Sequence, residues 1–472
     1  MAKQLFNSSE KSNFILNLTE EKYSNLASFG LLTACFTTSI ATAIPVISGE
    51  QIYAISSAGL AVSGVICMII AMIGGIKKYI DKKSLVPVCV FGFMLVWGII
   101  SLINSYDKGI SFYGYTGRGE GLLAIIFYFC FFISAASIRR DKTFTTLIYG
   151  IIGTGLFNSV FGLIQVFTGK ISAYRMVSME IQINAASGLV QSPLFLAMLL
   201  TLSLTAALIG FIFTEKKLVR IFCIISACIF AFTMIFTYSL IGICGAVFSI
   251  VSAVVAVFIM RASKIKLLSV LSVILPAGMA IVLVQAGFIG NINQYRLYDG
   301  RILWFADSYY RISASGNFNS DVVDIDSTSD VYYYLNRKTM NIVSAHALTG
   351  TGPEQLVFPQ LYTFGTSGEE GELSDIIVDN KGTFDKVYNE YLYTAATRGI
   401  PSAAALVLVL LAVLFTGWKN FKSGRKWQTL CMFMLTFAGV LIFFIGCSNI
   451  TFSSVFWAVA GCCCAKNESK SE

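Results

Sequence analysis

The chain has 472 residues, of which 56% are hydrophobic and 13% are charged, and its mean hydropathy is +0.73. Because soluble domains carry about 25% charged residues, this composition excludes a soluble globular protein and favours an integral membrane protein. The net charge of +8 does not indicate nucleic-acid binding: residues 291–398 hold 8 Lys and Arg against 14 Asp and Glu, and the basic excess lies elsewhere.

Residues 1–25 are polar and charged, which predicts a cytoplasmic tail or an interfacial helix rather than a cleavable signal peptide. Hydropathy then predicts nine membrane-spanning helices within residues 26–290, and none of these segments has the alternation of a membrane β-strand. They lie near residues 26–48, 53–76, 85–104, 121–138, 144–168, 190–213, 218–238, 240–260 and 267–289. Three more spans are predicted within 399–465, near 399–417, 428–447 and 449–465, before a C-terminal tail, 466–472. The sequence therefore predicts an all-α integral membrane protein with about 12 transmembrane helices.

Basic clusters follow the even-numbered spans. Because Lys and Arg concentrate on the cytoplasmic side, we expect both termini in the cytoplasm and the segments after odd-numbered spans outside. The clusters are Lys77, Lys78, Lys82 and Lys83; Arg139, Arg140 and Lys142; Lys216, Lys217 and Arg220; Arg261, Lys264 and Lys266; and Lys419, Lys422, Arg425 and Lys426.

Three outward segments follow from this orientation: 105–119, 169–189 and 291–398. A structureless loop of about a hundred residues is uncommon, so the third, between spans 9 and 10, is predicted to be a mainly helical extracytoplasmic cap. Its candidate helices are Gly300–Ile312, Val331–Ala347 and Phe384–Thr397. Between the first two, Ser315–Asp330 is predicted as a hairpin-like or disordered acidic insert, and it lacks the Gly and bidentate Glu that a calcium loop needs.

No metal or cofactor site is predicted. The twelve cysteines lie in or beside apolar segments and are interpreted as small buried residues, with palmitoylation and a redox role left open. His346 is the one histidine and cannot form a zinc site with cysteines that lie in lipid. We interpret it as a helix-end or packing residue. No serine has a GxSxG sequence around it.

Outward arginines, carboxylates and glycines form the remaining pattern. In Tyr113–Gly121 the glycines allow tight turns and place Arg118 and Glu120 at the mouth of the fourth span, although a plain turn is the alternative. Arg301 and Arg337 lie in the predicted cap. Arginine binds phosphate oxygens bidentately, which suits a site for a diphosphate; solvated structural arginines are the alternative.

Two stretches, Thr349–Pro401 and Tyr115–Gly121, carry a family resemblance. The first contains three short motifs: Gly350-Thr351-Gly352-Pro353-Glu354, Asp385-Lys386-Val387-Tyr388-Asn389-Glu390-Tyr391-Leu392 and Arg398-Gly399-Ile400-Pro401. They resemble the GxGP-type turn and the following D-x-x-H-N-x-Y-L segment of the O-antigen ligase and polymerase family. Tyr115–Gly121 is similar to an element of its Gram-positive members. The resemblance covers the architecture of the whole chain and implies a fold like that of C-type glycosyltransferases.

Membership of this family implies metal-independent glycosyl transfer, without a cofactor, at the outer face of the bacterial cytoplasmic membrane. The donor would be an undecaprenyl-diphosphate-linked oligosaccharide, the acceptor a glycan or lipid-linked sugar, and other polysaccharide-assembly proteins could be partners. The resemblance implies that arginines bind the diphosphate. The candidates for diphosphate or substrate binding are Arg118, Glu120, Arg175, Arg301, Arg337, Gly352, Glu354 and Arg398.

Two positions depart from the family pattern. Tyr388 stands where the family has histidine, and Leu240 follows Ser239 where an arginine is expected. The general base is then expected to be Glu390 or Asp385, because an acceptor hydroxyl needs a carboxylate within hydrogen-bond reach. With an ordinary pKa near 10, Tyr388 suits hydrogen bonding better.

Alternatives remain at this stage. Asp385 and Asn389 could simply cap a helix that leads into the tenth span, with a bend at Gly399–Pro401 and no chemistry. A flippase or transporter for lipid-linked saccharides is disfavoured because no charged residue lies well inside a predicted span. A non-catalytic assembly subunit would fit the departures at Tyr388 and Leu240. The residues do not distinguish polymerase from ligase.

Overall fold

The structure is a computed structural model that describes most of the apolar part of the chain. The described residues are 17–48, 54–115, 118–169, 175–177, 182–190, 192–262, 270–285, 328–356, 358–359 and 386–465. The predicted helix Gly300–Ile312, most of the acidic insert and the C-terminal tail lie outside them.

Helices account for nearly all of the described secondary structure. In chain order they are α1 Glu20–Ser48, α2 Ala54–Ile76, α3 Leu85–Ile103, α4 Lys108–Tyr113, α5 Leu122–Ala136, α6 Asp141–Thr168, α7 Pro193–Phe213, α8 Lys217–Ile235, α9 Leu240–Ile259, α10 Ile274–Gln285, α11 Thr328–Ala345, α12 Glu390–Gly424, α13 Trp427–Ile442 and α14 Ile450–Cys464. A 3-10 turn, Lys82–Ser84, precedes α3. The strands β1 Arg175–Val177 and β2 Gln182–Asn184 form an antiparallel hairpin in the second outward segment, which the sequence did not predict.

Among the described residues, eight helices are long and apolar enough to cross a membrane: α1, α2, α3, α6, α7, α8, α9 and α12. Four shorter apolar helices, α5, α10, α13 and α14, overlap the other predicted spans. The protein is therefore an all-helical, multi-pass membrane protein, and the number of twelve crossings stays a prediction.

Hydrogen-bonding side chains fix where several of these helices begin. Ser192 Oγ accepts a hydrogen bond from Leu194 N at 3.3 Å at the start of α7, where Pro193 occupies the first helical position. Ser239 Oγ accepts one from Gly242 N at 3.1 Å and begins α9. Leu240, the position at which an arginine was expected, is thus the first residue of a helix.

The interior of the bundle is built around α7 and α14, whose residues are nearly all buried. Helix α14 packs against α5 and α13, while α7 packs against α8, α9 and α13. Gly461 lets α14 approach α5 closely, because a Cβ atom there would lie 2.2 Å from the carbonyl oxygen of Phe132. Many large apolar side chains on α2, α3, α8, α9, α10 and α12 are exposed, as expected for helices that contact lipid.

Three of the basic clusters meet at one end of the bundle. The start of α3 is bonded to the end of α14, since Ser84 Oγ donates to Cys464 O at 2.9 Å. The end of α12 reaches the same place, since Asn420 Nδ2 donates to Cys464 O at 3.0 Å. Lys426 forms an ion pair with Asp141 at the start of α6. The clusters near 82–83, 139–142 and 419–426 therefore share one face.

Helix α12 is bent near its start. Gly399 has φ 81° and ψ 163°, which interrupts the helix two residues before Pro401, so the predicted bend is confirmed. The predicted helix start at Phe384 is wrong, because residues 386–389 are not helical. The helix begins at Glu390 since Asn389 Oδ1 accepts a hydrogen bond from Leu392 N at 3.0 Å. Upstream, α11 begins at Thr328, three residues before the predicted Val331.

Candidate functional site

Three chain segments meet at the other end of α12: the loop before α5, the turn after α11 and the segment that enters α12. Backbone hydrogen bonds join the turn to α12, from Thr351 N to Ala396 O at 3.0 Å and from Gly352 N to Thr397 O at 2.9 Å. Ile400 N, just past the bend, donates to Ala347 O at 2.8 Å. The bend thus frees backbone groups of α12 to hold the turn.

Glycines make this close approach possible. Gly350 has φ 68°, and a Cβ atom there would lie 2.4 Å from the carbonyl carbon of Thr397. Gly352 has φ 110°, and its Cβ would lie 2.4 Å from Ser105 Cβ. Left-handed backbone and contacts this short both require glycine. The GxGP sequence is therefore a packing element that sets Glu354 in place.

Gln355 fastens the same turn to the loop after α3. Its Oε1 atom accepts hydrogen bonds from Tyr106 N at 2.9 Å and Asp107 N at 3.1 Å, and its Nε2 atom donates to Asp107 O. Ser111 Oγ donates to Pro353 O at 3.2 Å. The amide of Gln355 is fully buried, so these bonds satisfy groups that could not reach water.

Five charged side chains lie buried where the segments meet. Two come from the motifs at 115–121 and 350–354, and three come from the entry to α12. With their exposed fractions they are Glu120 8%, Glu354 2%, Lys386 8%, Glu390 4% and Arg398 7%. Charged side chains are almost never this buried unless they are paired, so the cluster is a specific arrangement and not a solvated surface.

Lys386 lies between two of the carboxylates. Its Nζ atom contacts Glu120 Oε2 and lies 3.8 Å from Glu354 Oε1. It also donates to Ser448 O at 2.8 Å and lies 5.5 Å from the centre of the Tyr393 ring. Tyr393 OH donates to Glu354 Oε1 at 3.1 Å. The ammonium group of Lys386 thus forms ion pairs with carboxylates from two different motifs.

Glu390 and Arg398 form a second pair on the first turns of α12. Arg398 donates to Glu390 Oε1 at 3.4 Å and to Thr394 Oγ1 at 2.6 Å. Glu390 Oε2 accepts from Ser448 N at 2.8 Å, and its backbone N donates to Phe443 O at 2.8 Å. The residues between α13 and α14 therefore hold Glu390 in position.

Burial and the neighbouring charges set the protonation of the loop residues. Burial raises the pKa of Glu120, and the nearby Lys386 opposes this only in part. For Lys386, burial lowers the pKa, but the carboxylates of Glu120 and Glu354 outweigh it, so that the pKa is raised. Lys386 is thus held as a cation, while Glu120 binds a proton more readily than an exposed carboxyl.

A small cavity separates the two pairs. It has a free volume of about 30 Å³, and its polar lining comes from Glu120, Tyr128, Glu354, Glu390, Tyr393, Thr397, Arg398, Ser448 and Ser453. One water needs about 10–15 Å³ by the same measure, so the cavity has room for about two. Residues Glu120, Glu354 and Glu390 therefore border one shared space.

The structure brings four of the predicted site residues, Glu120, Glu354, Glu390 and Arg398, into this cluster. Arg118 is half-buried beside it and acts electrostatically on Lys386. Tyr388 is buried, and Asn389 caps α12.

Other predicted residues lie apart or beyond description. Arg337 is exposed on α11, so the cluster does not include it. Arg175 lies on β1, and only its backbone is described. Arg301 and Asp385 lie outside the described residues. His346 follows the end of α11 and its carbonyl accepts from Gly350 N at 2.9 Å, consistent with a helix-end residue.

Sequence reasoning missed Lys386, Tyr393 and Ser448. Lys386 lies inside the motif quoted for the resemblance, but a lone lysine in a polar loop gives no sign of burial. Ser448 contributes backbone groups, which no residue type could have indicated.

Within the described ranges, no group of three or more His, Cys, Asp or Glu side chains could hold a metal ion. Nine of the twelve cysteines are buried, as interpreted, whereas Cys89 and Cys244 are exposed and Cys228 is half-buried. No protein-family model matches the chain, and no curated protein is significantly similar to it.

Proposed function

We propose that this chain is a membrane glycosyltransferase of the O-antigen ligase and polymerase type, which polymerises or ligates a cell-surface polysaccharide. One observation carries the proposal. The elements that resemble the family, at 115–121, 350–354 and 385–401, are far apart in sequence but contribute Glu120, Glu354 and the pair Glu390–Arg398 to one buried cluster. Buried ionisable groups that converge on a cavity are typical of functional sites.

In this proposal the reaction is an attack by an acceptor hydroxyl on the anomeric carbon of a glycan linked to undecaprenyl diphosphate. Arg398 would leave Glu390 to bind the diphosphate, because a phosphate offers stronger bidentate acceptors than the single 3.4 Å contact to Glu390. Glu390, still oriented by Ser448 N, would then be free to take the proton of the acceptor. Arg118 beside the cluster would contribute positive charge to the same leaving group.

The finer features of the proposal follow from the resemblance and the charge pattern. They are twelve crossings, both termini in the cytoplasm, a site on the outer face of the bacterial cytoplasmic membrane and no metal or cofactor. Roles for Asp385, Arg175, Arg301 and Arg337 rest on the resemblance alone. Tyr388 and Asn389 are assigned to positioning, since one is buried and the other caps α12.

The test is an in vitro assay with the full chain in lipid nanodiscs and a polyprenyl-diphosphate oligosaccharide. We expect longer or transferred glycans, and a loss of at least about 100-fold in Glu390→Gln, as is usual when a general base is removed. The matched control is Glu215→Gln, because Glu215 is an exposed carboxylate in the loop between α7 and α8. Equal activity of both variants would refute the assignment of Glu390.

A transporter of lipid-linked saccharides is the second candidate, favoured by one observation. Glu390 and Arg398 lie on a helix that is long and apolar enough to span the membrane and that is broken at Gly399. Ionisable residues and interrupted helices within membranes often mark substrate paths. Movement of a fluorescent lipid-linked oligosaccharide across liposomes, without any glycan transfer, would favour this candidate over the enzyme.

A further inference from the structure

Four lysines lie exposed at the end of the bundle opposite the candidate site. Lys82 and Lys83 lie in the 3-10 turn before α3, and Lys419 and Lys422 lie in the last turns of α12. The turn and α3 both pack against α12. These four residues, the lysine patch, therefore belong to neighbouring helices at one end of the molecule.

Hydrogen bonds fix the two halves of the lysine patch relative to each other. Ser84 Oγ, next to Lys83, and Asn420 Nδ2, next to Lys419, both donate to Cys464 O, at 2.9 and 3.0 Å. Ser84 is fully buried. The end of α14 thus joins the backbone segments that carry the two lysine pairs.

The positive charge of the lysine patch is not neutralised by ion pairs. None of its four members forms an ion pair with a carboxylate of the described residues, whereas Arg140 pairs with Glu21 and Lys426 with Asp141 at the same end of the bundle.

One carboxylate adjoins the lysine patch. Asp81 Oδ1 accepts a hydrogen bond from Lys82 N at 2.9 Å and caps the 3-10 turn. With Asp81 counted, the four lysines leave a net charge of +3 (4 − 1). Arg425, which is exposed at the end of α12, adds to it, and residues 466–472, outside the described ones, contain two Lys and two Glu and so add no net side-chain charge. The patch therefore attracts anions.

The exposed surface of α12 is apolar up to the lysine patch. Leu408, Leu411, Phe415, Lys419 and Lys422 follow one another at spacings of three or four residues, and all five are exposed. This spacing places them along one face of the helix. The Nζ atom of Lys419 lies 4.0 Å from the centre of the Phe415 ring, so the charge and the apolar surface are in direct contact.

Helix α3 has the same order of charge and apolar surface. Lys82 and Lys83 are followed by the exposed side chains of Leu85 and Val86 at the start of the helix. A soluble anion or a nucleic acid would contact only the lysines. A ligand that matches the whole surface has a negative headgroup and long apolar chains, which is the chemistry of an anionic phospholipid.

We propose that the lysine patch binds the phosphate headgroup of an anionic phospholipid, whose acyl chains lie along the exposed apolar faces of α3 and α12. Lysine suits this role because its flexible stem lies on apolar surface while the ammonium group reaches the headgroup. The site is independent of glycan transfer and of the side of the membrane on which this end of the bundle lies.

Native mass spectrometry of the full chain tests the site without any assay of activity. The protein in a neutral detergent is titrated with phosphatidylglycerol or with phosphatidylcholine of the same acyl chains, and bound lipids are counted. We expect phosphatidylglycerol to bind about tenfold more tightly or better, since each basic residue near an anionic headgroup contributes about fivefold.

Two double variants separate the lysine patch from general attraction. Lys419→Gln with Lys422→Gln should weaken binding of phosphatidylglycerol about 25-fold. The matched control, Lys216→Gln with Lys217→Gln, removes the same charge from exposed lysines at the start of α8, which packs against α6, α7, α9 and α10. It should change binding less than about twofold, because salt screens distant charges. All four lysines are exposed, so both variants should fold.

Three results would overturn the proposal. They are equal binding of the two lipids by the wild type, equal losses in the two double variants, or displacement of the lipid by an equal concentration of glycerol 1-phosphate, which carries a phosphate without acyl chains and would identify a site for soluble anions. Glycan transfer without preferential binding of phosphatidylglycerol would reject the lipid site and leave the enzyme proposal standing.

Discussion

Replacing Arg398 by methionine removes one charge of the buried Glu390–Arg398 pair but keeps an apolar side chain of similar length. The two groups lie 3.4 Å apart and are both almost fully buried. Coulomb's law with an effective dielectric constant of about 20 gives an attraction of about 5 kcal/mol at this distance. Deleting one member of a buried pair costs about 3–5 kcal/mol, because the other is left uncompensated. We expect Arg398→Met to lower the free energy of unfolding by about 3–5 kcal/mol.

The measurement is unfolding of the purified protein in mixed micelles by titration with sodium dodecyl sulfate. Lys422→Met is the matched control: Lys422 is exposed near the end of the same helix, 5.3 Å from the Trp418 ring, and its loss should cost about 1 kcal/mol or less. The double variant Glu390→Gln with Arg398→Met should lose less than the sum of the two single variants. A cost for Arg398→Met no larger than that of the control would show that the pair is not buried as described.

Three further predictions concern the same region. Gly399→Ala should cost about 2 kcal/mol or more, because φ is 81° and a Cβ would lie 2.0 Å from Leu348 O; thermal unfolding measures this, and a neutral effect would refute the bend. Asn389→Ala should cost about 1 kcal/mol by the same measurement, since it removes the cap on Leu392 N, whereas Asn389→Asp should restore most of it. The raised pKa of Glu120 predicts that stability falls as pH rises, because the folded protein keeps a proton that the unfolded chain releases above the ordinary pKa of 4.5. The stabilisation that this proton gives is complete below pH 4.5 and is lost as pH rises through the pKa of Glu120 in the folded protein. The unfolding temperature of the wild type should therefore fall relative to Glu120→Gln as pH rises, and a constant difference would contradict the shift.

Much of the fold was predictable because long apolar segments have few structural solutions in lipid. Each predicted span overlaps a helix, and the bend at Gly399 followed from a glycine next to Pro401. The start of α12 was missed because both Asp385 and Asn389 are good cap residues, and only the hydrogen bond to Leu392 N selects Asn389. The β1–β2 hairpin was missed because strands of three residues leave no pattern in the sequence.

The candidate site was predictable in part. Glu120, Glu354, Glu390 and Arg398 were found because glycines and polar residues next to apolar spans stand out. The pairing of Glu390 with Arg398 was not expected from their spacing, because they are eight residues apart and helical side chains normally pair at a spacing of three or four. The contact of Lys386 with Glu120 could not be predicted either, because it joins residues separated by 266 positions, and nothing local in the sequence fixes such a distance.

The backbone bonds at the bend of α12 have a mechanical consequence. Residues 347–352 and 396–400 exchange three backbone hydrogen bonds, and Ser101 Oγ on α3 adds a fourth to Thr397 O at 2.9 Å. A sideways displacement of α11 would have to break these bonds together. The end of α11 and the first part of α12 should therefore move as one rigid body that pivots on its contact with α3. A cysteine crosslink between the turn and α3 would then immobilise this rigid body without changing any charged residue of the cluster.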